Sequence, residues 1–395
     1  MAWGDINSLA RHDKFELVAV ADVDKRKFAE VQKKFPNVRV YQDWRELLEK
    51  EADNIDSVNV STPDHMHGPI GMAAMALGKH LYGQKPLTQN LKECRAMRLR
   101  AKEKGVMTQM GIQISSAFTE RLGVRAIHDG AIGKIKEVHT FSNKTWGDPN
   151  PRPDRNDPVP DGFDWDGWLG VAQERPYIEG YYHPGNWRKR RDFGTGTLGD
   201  MGVHIFDTPY AALALTYPKW AKTTCRPPTG VGHPEKNIVE YEFPGTKFTT
   251  DSLIWKWYDG GFAPPSGEGW NLPEGFKLPG QGSLFIGEEG VMLLPHVGEA
   301  VLFPEEKFKD YQRPDVENGN HYHQWVDACL GKGETSASFA YAGPLTEALL
   351  LGVVANRFPE QQLNWDAEKL QVTNLPEANA LLKRDYRDEF KVTGL

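Results

Sequence analysis

Residues 56–86, DSVNVSTPDHMHGPIGMAAMALGKHLYGQKP, decide the fold. DSVNVSTP (56–63) is a buried, β-rich run, His67 to Gly78 carries a helix, and HLYGQKP (80–86) is again a strand. A strand, a crossover helix and a second strand make a βαβ unit with parallel strands. The pattern extends both ways. Upstream, FELVAVADVD (15–24) is an apolar strand ending in Asp22 and Asp24, KRKFAEVQKKF an amphipathic helix, VRVYQD a strand and WRELLEKE a helix. Downstream, LKECRAMRLRAKEKG is a helix and VMTQMGIQI (106–114) a strand. This alternation predicts an α/β, doubly wound, Rossmann-like parallel sheet, in which ligands sit outside the carboxyl ends of the strands.

Those ends are Asp22, Ser61-Thr62-Pro63, Gln84-Lys85-Pro86 and Gly111-Ile112-Gln113. Asp22 suits the acid that accepts hydrogen bonds from an adenosine ribose and repels a 2′-phosphate, favouring NAD over NADP; on strand position alone it reads equally as a turn aspartate. Lys85, between a strand and a proline, puts an ammonium at the ligand edge, where it can polarise a hydroxyl or carbonyl; the alternative is a solvated strand-end lysine. A complete sheet of this type opens with a strand and a G-x-G-x-x-G turn. Neither precedes the opening helix (MAWGDINSLARHDK), Met1 stands about where that turn ends, and Asp22 follows 21 residues later. An N-terminally incomplete dinucleotide-binding domain is therefore expected over 1–117.

With 395 residues the chain is long enough for two cores. A net charge of −7 argues against a nucleic-acid surface, and no run of about 18 apolar residues offers a membrane span. Cys94, Cys225 and Cys329 are too few and too scattered for a disulfide framework or a zinc site, so no metal is expected. The N-terminus lacks the apolar centre of a signal peptide.

FTERLGVRAIHDGAIGK (118–134) reads as a helix, after which the βα alternation stops. EVHTFSN (137–143) is a strand, and a loop rich in proline, aspartate and tryptophan runs to about 192. It carries Trp146, Trp165, Trp168, Tyr181, Tyr182, His183, Trp187 and Arg188, too aromatic for disorder, and is expected to be a lid or substrate-binding loop. TGTLGDMGVHIFD (195–207) then places Asp200 and His204 four residues apart, on one face of a helix. An ionised aspartate orients a neighbouring imidazole, the commonest acid or base near neutral pH; a capping aspartate with a buried histidine is the bland alternative. NIVEYEF, KFTTDSLIWKWYD, GSLFIG, GVMLLP and EAVLF are strands of a largely antiparallel, open-faced sheet, and 321–331, 342–358 and 376–386 are helices. An α+β domain over 118–395 follows, its last helices able to pack back on the first domain. His321 and His323, at a helix start, read as capping or surface residues.

The ordered set VAVADVD (18–24), STPDHMH (61–67), QKPL (84–87), QMGIQ (109–113), DWDGWLG (164–170), NWR (186–188), DFGTGTLGDMGVHIFD (192–207) and AGPLTEALLLGVVA (342–355) resembles the Gfo/Idh/MocA oxidoreductases, in the bacterial subgroup with an extended C-terminal domain. The likeness covers almost the whole chain. It implies a bound nicotinamide cofactor and oxidation or reduction of a sugar or polyol hydroxyl. The family's Glu-Lys-Pro motif falls on Gln84-Lys85-Pro86, with glutamine where the family has glutamate, and its aspartate–histidine pair falls on Asp200 and His204. The resemblance implies His204 as proton-transfer residue, Asp200 holding its imidazole, and Lys85 stabilising the developing oxyanion. Asp22, Ser61, Thr62, Pro63, His67, Gln84, Lys85 and Gln113 are the expected cofactor contacts; Trp146, His183, Trp187 and Arg188 are the expected sugar contacts. Two alternatives stay open: a glycosidase working by transient sugar oxidation and elimination, and a non-catalytic sugar-binding protein that has lost its cofactor site. A cytoplasmic homo-oligomer, dimer or tetramer, is expected, although relatives of this subgroup often carry export signals.

Overall fold

The computed structural model describes residues 2–265, 270 and 272–395; Met1, where a glycine turn was expected to end, lies outside them. The N-terminal part runs α1 (Ala2–Leu9), β1 (Ala19–Ala21), α2 (Phe28–Lys34), β2 (Arg39–Tyr41), α3 (Trp44–Glu51), β3 (Ser57–Val60), α4 (His67–Ala76), β4 (His80–Gly83), α5 (Leu91–Lys104) and β5 (Thr108–Met110). Polar caps set the helix starts: Asp43 accepts from Arg45 N (2.8 Å) at α3 and Asn90 from Glu93 N (3.0 Å) at α5, satisfying N–H groups that the first turn leaves open. The Rossmann-like layer is parallel throughout, with β1 beside β2 and β3, β4 and β5 side by side in that order. The strand expected over 106–114 is shorter than its apolar run. Past Met110 the backbone turns at Gly111, where a Cβ would lie 2.9 Å from the Gln84 amide, and coils into a 3₁₀ turn at Gln113–Ser116.

The C-terminal part continues with α6 (Phe118–His128), β6 (Ile135–Ser142), α7 (Trp165–Leu169), α8 (Val203–Ala212), β7 (Trp220–Thr224), β8 (Ile238–Pro244), β9 (Thr249–Asp259), β10 (Gln281–Gly287), β11 (Val291–Pro295), β12 (Val301–Phe303), α9 (Glu305–Phe308), α10 (His321–Cys329), α11 (Phe339–Ala355), β13 (Gln362–Asp366) and β14 (Gln371–Val372). One nine-stranded sheet runs β12-β11-β10-β6-β9-β8-β7-β13-β14. Its neighbours are antiparallel except β6 and β9, which run parallel. Strands β7 and β13 were not anticipated. The helix expected over 376–386 is instead a 3₁₀ turn, Pro376–Leu382, in which the Asn379 side chain bonds both the N–H and the carbonyl of Val372 in β14.

One apolar core crosses from the parallel layer to the large sheet, including Leu81, Met97, Phe206, Trp255, Leu345 and Leu349. Helix α11, nearly all apolar, packs on α5 and β5 on one side and on α8 and β7 on the other. Its one acid, Glu347, is fully buried and takes both arms of the Arg95 guanidinium from α5 (2.8 and 2.6 Å), the paired geometry a buried charge needs. The aromatic loop after β6 is no loose lid. Trp168, Tyr177, Tyr182, Trp187 and Phe193 bury one another in a core of their own. Among the described residues no helix is long and apolar enough to cross a membrane.

Candidate active site

The turns that follow β4 and β5 open onto a cavity of about 400 Å³ lined by Gln84, Lys85, Gln113, Lys144, Trp146, Arg188, Asp200, Met201, His204, Gln281 and His296. Lys85, Asp200 and His204 thus stand in one space. The segment carrying Asp200 is a wide π-helical turn, Leu198–Gly202, leading into α8. Such turns leave backbone groups open to other partners, and here the Asp200 carbonyl accepts from Lys85 Nζ (2.9 Å) while its Oδ1 accepts from the same ammonium (2.7 Å). Gly199 is required inside the turn, because a Cβ there would collide with the Thr195 side chain. Thr195 in turn donates to Asp64 (2.7 Å), a buried carboxyl that desolvation pushes up to about 7.

The i, i+4 spacing predicted an aspartate holding the imidazole. The structure sends the carboxylate elsewhere. Beyond Lys85, Asp200 Oδ1 accepts from Arg188 Nε (3.2 Å) and Oδ2 from Trp146 Nε1 (2.7 Å). Burial alone would raise this carboxyl, but the charges of Lys85 and Arg188 outweigh it and hold Asp200 far below the usual carboxylate range. His204 keeps Nδ1 buried with no hydrogen-bond partner among the described residues. Burial, then the charge of Lys85 and the nearby His296 ring, whose centroid lies 5.9 Å away, hold the imidazole well below the ordinary histidine range. At neutral pH it is a neutral ring able to take a proton.

Gln84 is explained by a residue that sequence reasoning missed. Asp5, buried on α1, accepts from Gln84 Nε2 (2.8 and 3.0 Å), Ser61 Oγ (2.7 Å) and Tyr322 Oη (2.9 Å), and Tyr322 Oη also accepts from Gln113 Nε2 (3.0 Å). A carboxylate facing this neighbour requires a donor at position 84, which an amide supplies and glutamate does not. His67 lies buried in the wall, its ring nitrogens 2.9 Å from the carbonyl oxygens of Thr62 and Pro86. It ties the turn after β3 to the turn after β4. Thr62 Oγ1, at the end of β3, is buried without a partner among the described residues. Asp22 is exposed just past β1 and caps Asp24 N (2.9 Å).

Of the four residues expected to touch sugar, Trp146 and Arg188 line the cavity. Trp187 instead is buried beneath Arg188, whose guanidinium stacks 4.2 Å above the indole. His183 packs on Phe163 (5.1 Å) and feels the charges of Asp24 and Asp22, away from the cavity lining. Lys144, Met201, Gln281 and His296 line the cavity unannounced. They arrive from the loop after β6, the wide turn, β10 and the residue after β11, and no local spacing links them.

A parallel dinucleotide-type layer that feeds its strand ends into a cavity walled by a second, sheet-based domain defines a two-domain Rossmann-like protein. Its relationships agree. Residues 4–112 match the family profile described as an oxidoreductase family with an NAD-binding Rossmann fold, and residues 136–214 match that of its C-terminal alpha/beta domain. Both matched segments are thus similar to the Gfo/Idh/MocA family of oxidoreductases. It is 25% identical over 190 residues to levoglucosan dehydrogenase of Pseudarthrobacter phenanthrenivorans, covering 48% of this chain and 40% of that one. It is 35% identical over 156 residues to 1,5-anhydro-D-fructose reductase of Ensifer adhaerens, covering 39% and 37%. The matched segments therefore span about two fifths of these curated relatives. Among solved structures, an inositol dehydrogenase homologue from Azotobacter vinelandii, complexed with NADH and myo-inositol, superposes with a TM-score of 0.59 at 17% identity, over 92% of this chain and 93% of that one. GenD2 from gentamicin A biosynthesis, in complex with NAD, gives 0.62 at 20% identity over 92% and 93%. At these identities the likeness is one of fold.

Proposed function

We propose that this protein is an NAD-dependent dehydrogenase of a sugar or polyol hydroxyl. The observation that carries the reading is the Lys85 ammonium, fixed by the carboxylate and the carbonyl of Asp200, in one cavity with a neutral imidazole at His204. The residues present fit the cofactor at both ends. Thr62 Oγ1 is an orphaned buried donor in the turn after β3, Gln84, Lys85 and Gln113 line the cavity, and Asp22 stands exposed past β1 as a ribose acceptor. The curated relatives, named for sugar and inositol dehydrogenation, support the substrate class.

Bound NAD supplies the acceptor for a hydride. His204 takes the hydroxyl proton as the carbon–hydrogen bond breaks and the carbonyl forms, so the substrate loses two electrons and two hydrogens. Lys85 places its positive charge against the developing alkoxide. Asp200 acts through Lys85 as a positioning group, together with Arg188 and Trp146. The domain boundary falls near residue 117 in this reading, and the chain works as a homo-oligomer, which light scattering tests. His204→Ala is expected to lower turnover by about 10²-fold or more while the protein still releases stoichiometric NAD(H) on denaturation. Loss of the bound cofactor instead would refute the role given to His204.

A further inference from the structure

The charge of the cavity is unbalanced. Three cationic side chains line it, Lys85, Lys144 and Arg188, against one carboxylate, Asp200. Lys85 and Arg188 both lean on that carboxylate, at 2.7 and 3.2 Å. Lys144 stands apart from them. It follows β6, its Nζ contacts the Met201 sulfur (3.4 Å), a weak acceptor, and among the described residues no carboxylate oxygen lies within 4.0 Å of it. His296 lines the same cavity, and its imidazole is kept below the ordinary range by burial and then by the charge of Lys144. It is a hydrogen-bonding group that adds no negative charge. The acids behind the wall are already engaged: Asp5 with Gln84, Ser61 and Tyr322, and Asp64 with Thr195.

Among the described residues of the wall, Lys144 is thus a cation that no protein carboxylate balances. We propose that the substrate is a sugar acid, a monosaccharide or polyol whose carboxylate meets Lys144 and His296 while its reacting hydroxyl meets Lys85 and His204. The hydroxyl half rests on the dehydrogenase reading above; the carboxylate half rests on Lys144. A cavity of about 400 Å³ lies at the small end of ligand pockets, suited to one sugar unit.

The test is a tryptophan-fluorescence titration of the full chain, read through Trp146 and Trp187, with hexuronates, hexonates, the matching neutral hexoses and polyols, and hexose phosphates. Hexuronates or hexonates are expected to bind about tenfold or more tightly than their neutral counterparts, as a charge-assisted hydrogen bond provides. That preference is expected to shrink with salt, to disappear in Lys144→Met and to persist in Lys144→Arg. Equal binding of acids and neutral sugars, a preference surviving in Lys144→Met, or selective binding of the phosphates would overturn the proposal. NADH absorbance on the same panel separates the two readings. Lys144-dependent binding of the acid without NAD reduction keeps the ligand class and refutes the dehydrogenase. Reduction driven by neutral polyols alone does the reverse.

Discussion

Replacing Lys85 with methionine removes the ammonium and keeps an unbranched side chain of similar length. The two charges stand 2.7 Å apart; with an effective dielectric near 20 they attract by about 6 kcal/mol. Desolvation of both ions takes back several kcal/mol, and Asp200 retains Arg188 at 3.2 Å and Trp146 at 2.7 Å. The expected net loss in Lys85→Met is therefore about 3 kcal/mol, the low end for breaking a buried pair, measured by urea unfolding. Turnover is expected to fall about 10²- to 10³-fold, as when one oxyanion donor is removed. A third effect has a definite sign. After burial, the Lys85 charge is the main influence holding His204 low, so its removal lets the imidazole rise. A neutral imidazole is the active base, and activity is lost as pH falls through its pKa; the acid limb of the pH–rate profile is thus expected to move to higher pH. The double variant Lys85→Met/Asp200→Asn removes both charges and is expected to regain most of the stability but none of the turnover. A single variant as stable as the parent, with an unmoved acid limb, would refute the assignment of Lys85 and Asp200 as a working pair.

Gln84→Glu faces a second carboxylate toward Asp5 across a gap now spanned by a 2.8 Å hydrogen bond; a loss of about 3 kcal/mol is expected, and addition of Asp5→Asn should restore most of it in the same unfolding assay. Hydrogen bonds from Arg39, then Tyr41 and Asn54, overcome burial and lower Glu51 to about 2. Its contribution is present above the unfolded value of about 4.3 and lost as pH falls toward 2, so the stability gap between the parent and Glu51→Gln should close over that window. Gly352→Ala would add about 1 kcal/mol of helix propensity in an open helix, but here the new Cβ collides with Tyr241 Oη and lies 2.9 Å from both Leu198 and Val239. Overpacking costs about 1–3 kcal/mol, and a lowered melting temperature is the expected net result.

The periodic parts of the chain were legible because local pattern and tertiary role agree there. The βα alternation of residues 15–114, the apolar length of α11, and the positions of Lys85, Asp200 and His204 all follow from period and strand-end location. The partners were legible less often. Nothing local in Asp5 announces a contact with Tyr322, 317 residues away, and Asp200 and His204 satisfy helical spacing while the carboxylate is captured by Lys85 and Trp146 from distant segments. The aromatic loop was legible as ordered, but not in where each side chain goes. Its rings signal order, but most of that order is spent on packing the loop against itself, and among its described residues Lys144, Trp146 and Arg188 line the cavity.

The wide turn at Leu198–Gly202 acts as one extra residue set into a helix. Taking one residue out of it would regularise the winding and swing everything downstream by about 100° around the axis. His204 would then face a different neighbour, and the Asp200 carbonyl would return to helical bonding and release Lys85. Surface loops can change length with little consequence for the catalytic arrangement, whereas at this point the count of residues itself is a functional quantity. Lineages that lengthen or shorten the chain should therefore do so on either side of 198–202 and leave its five residues intact in number.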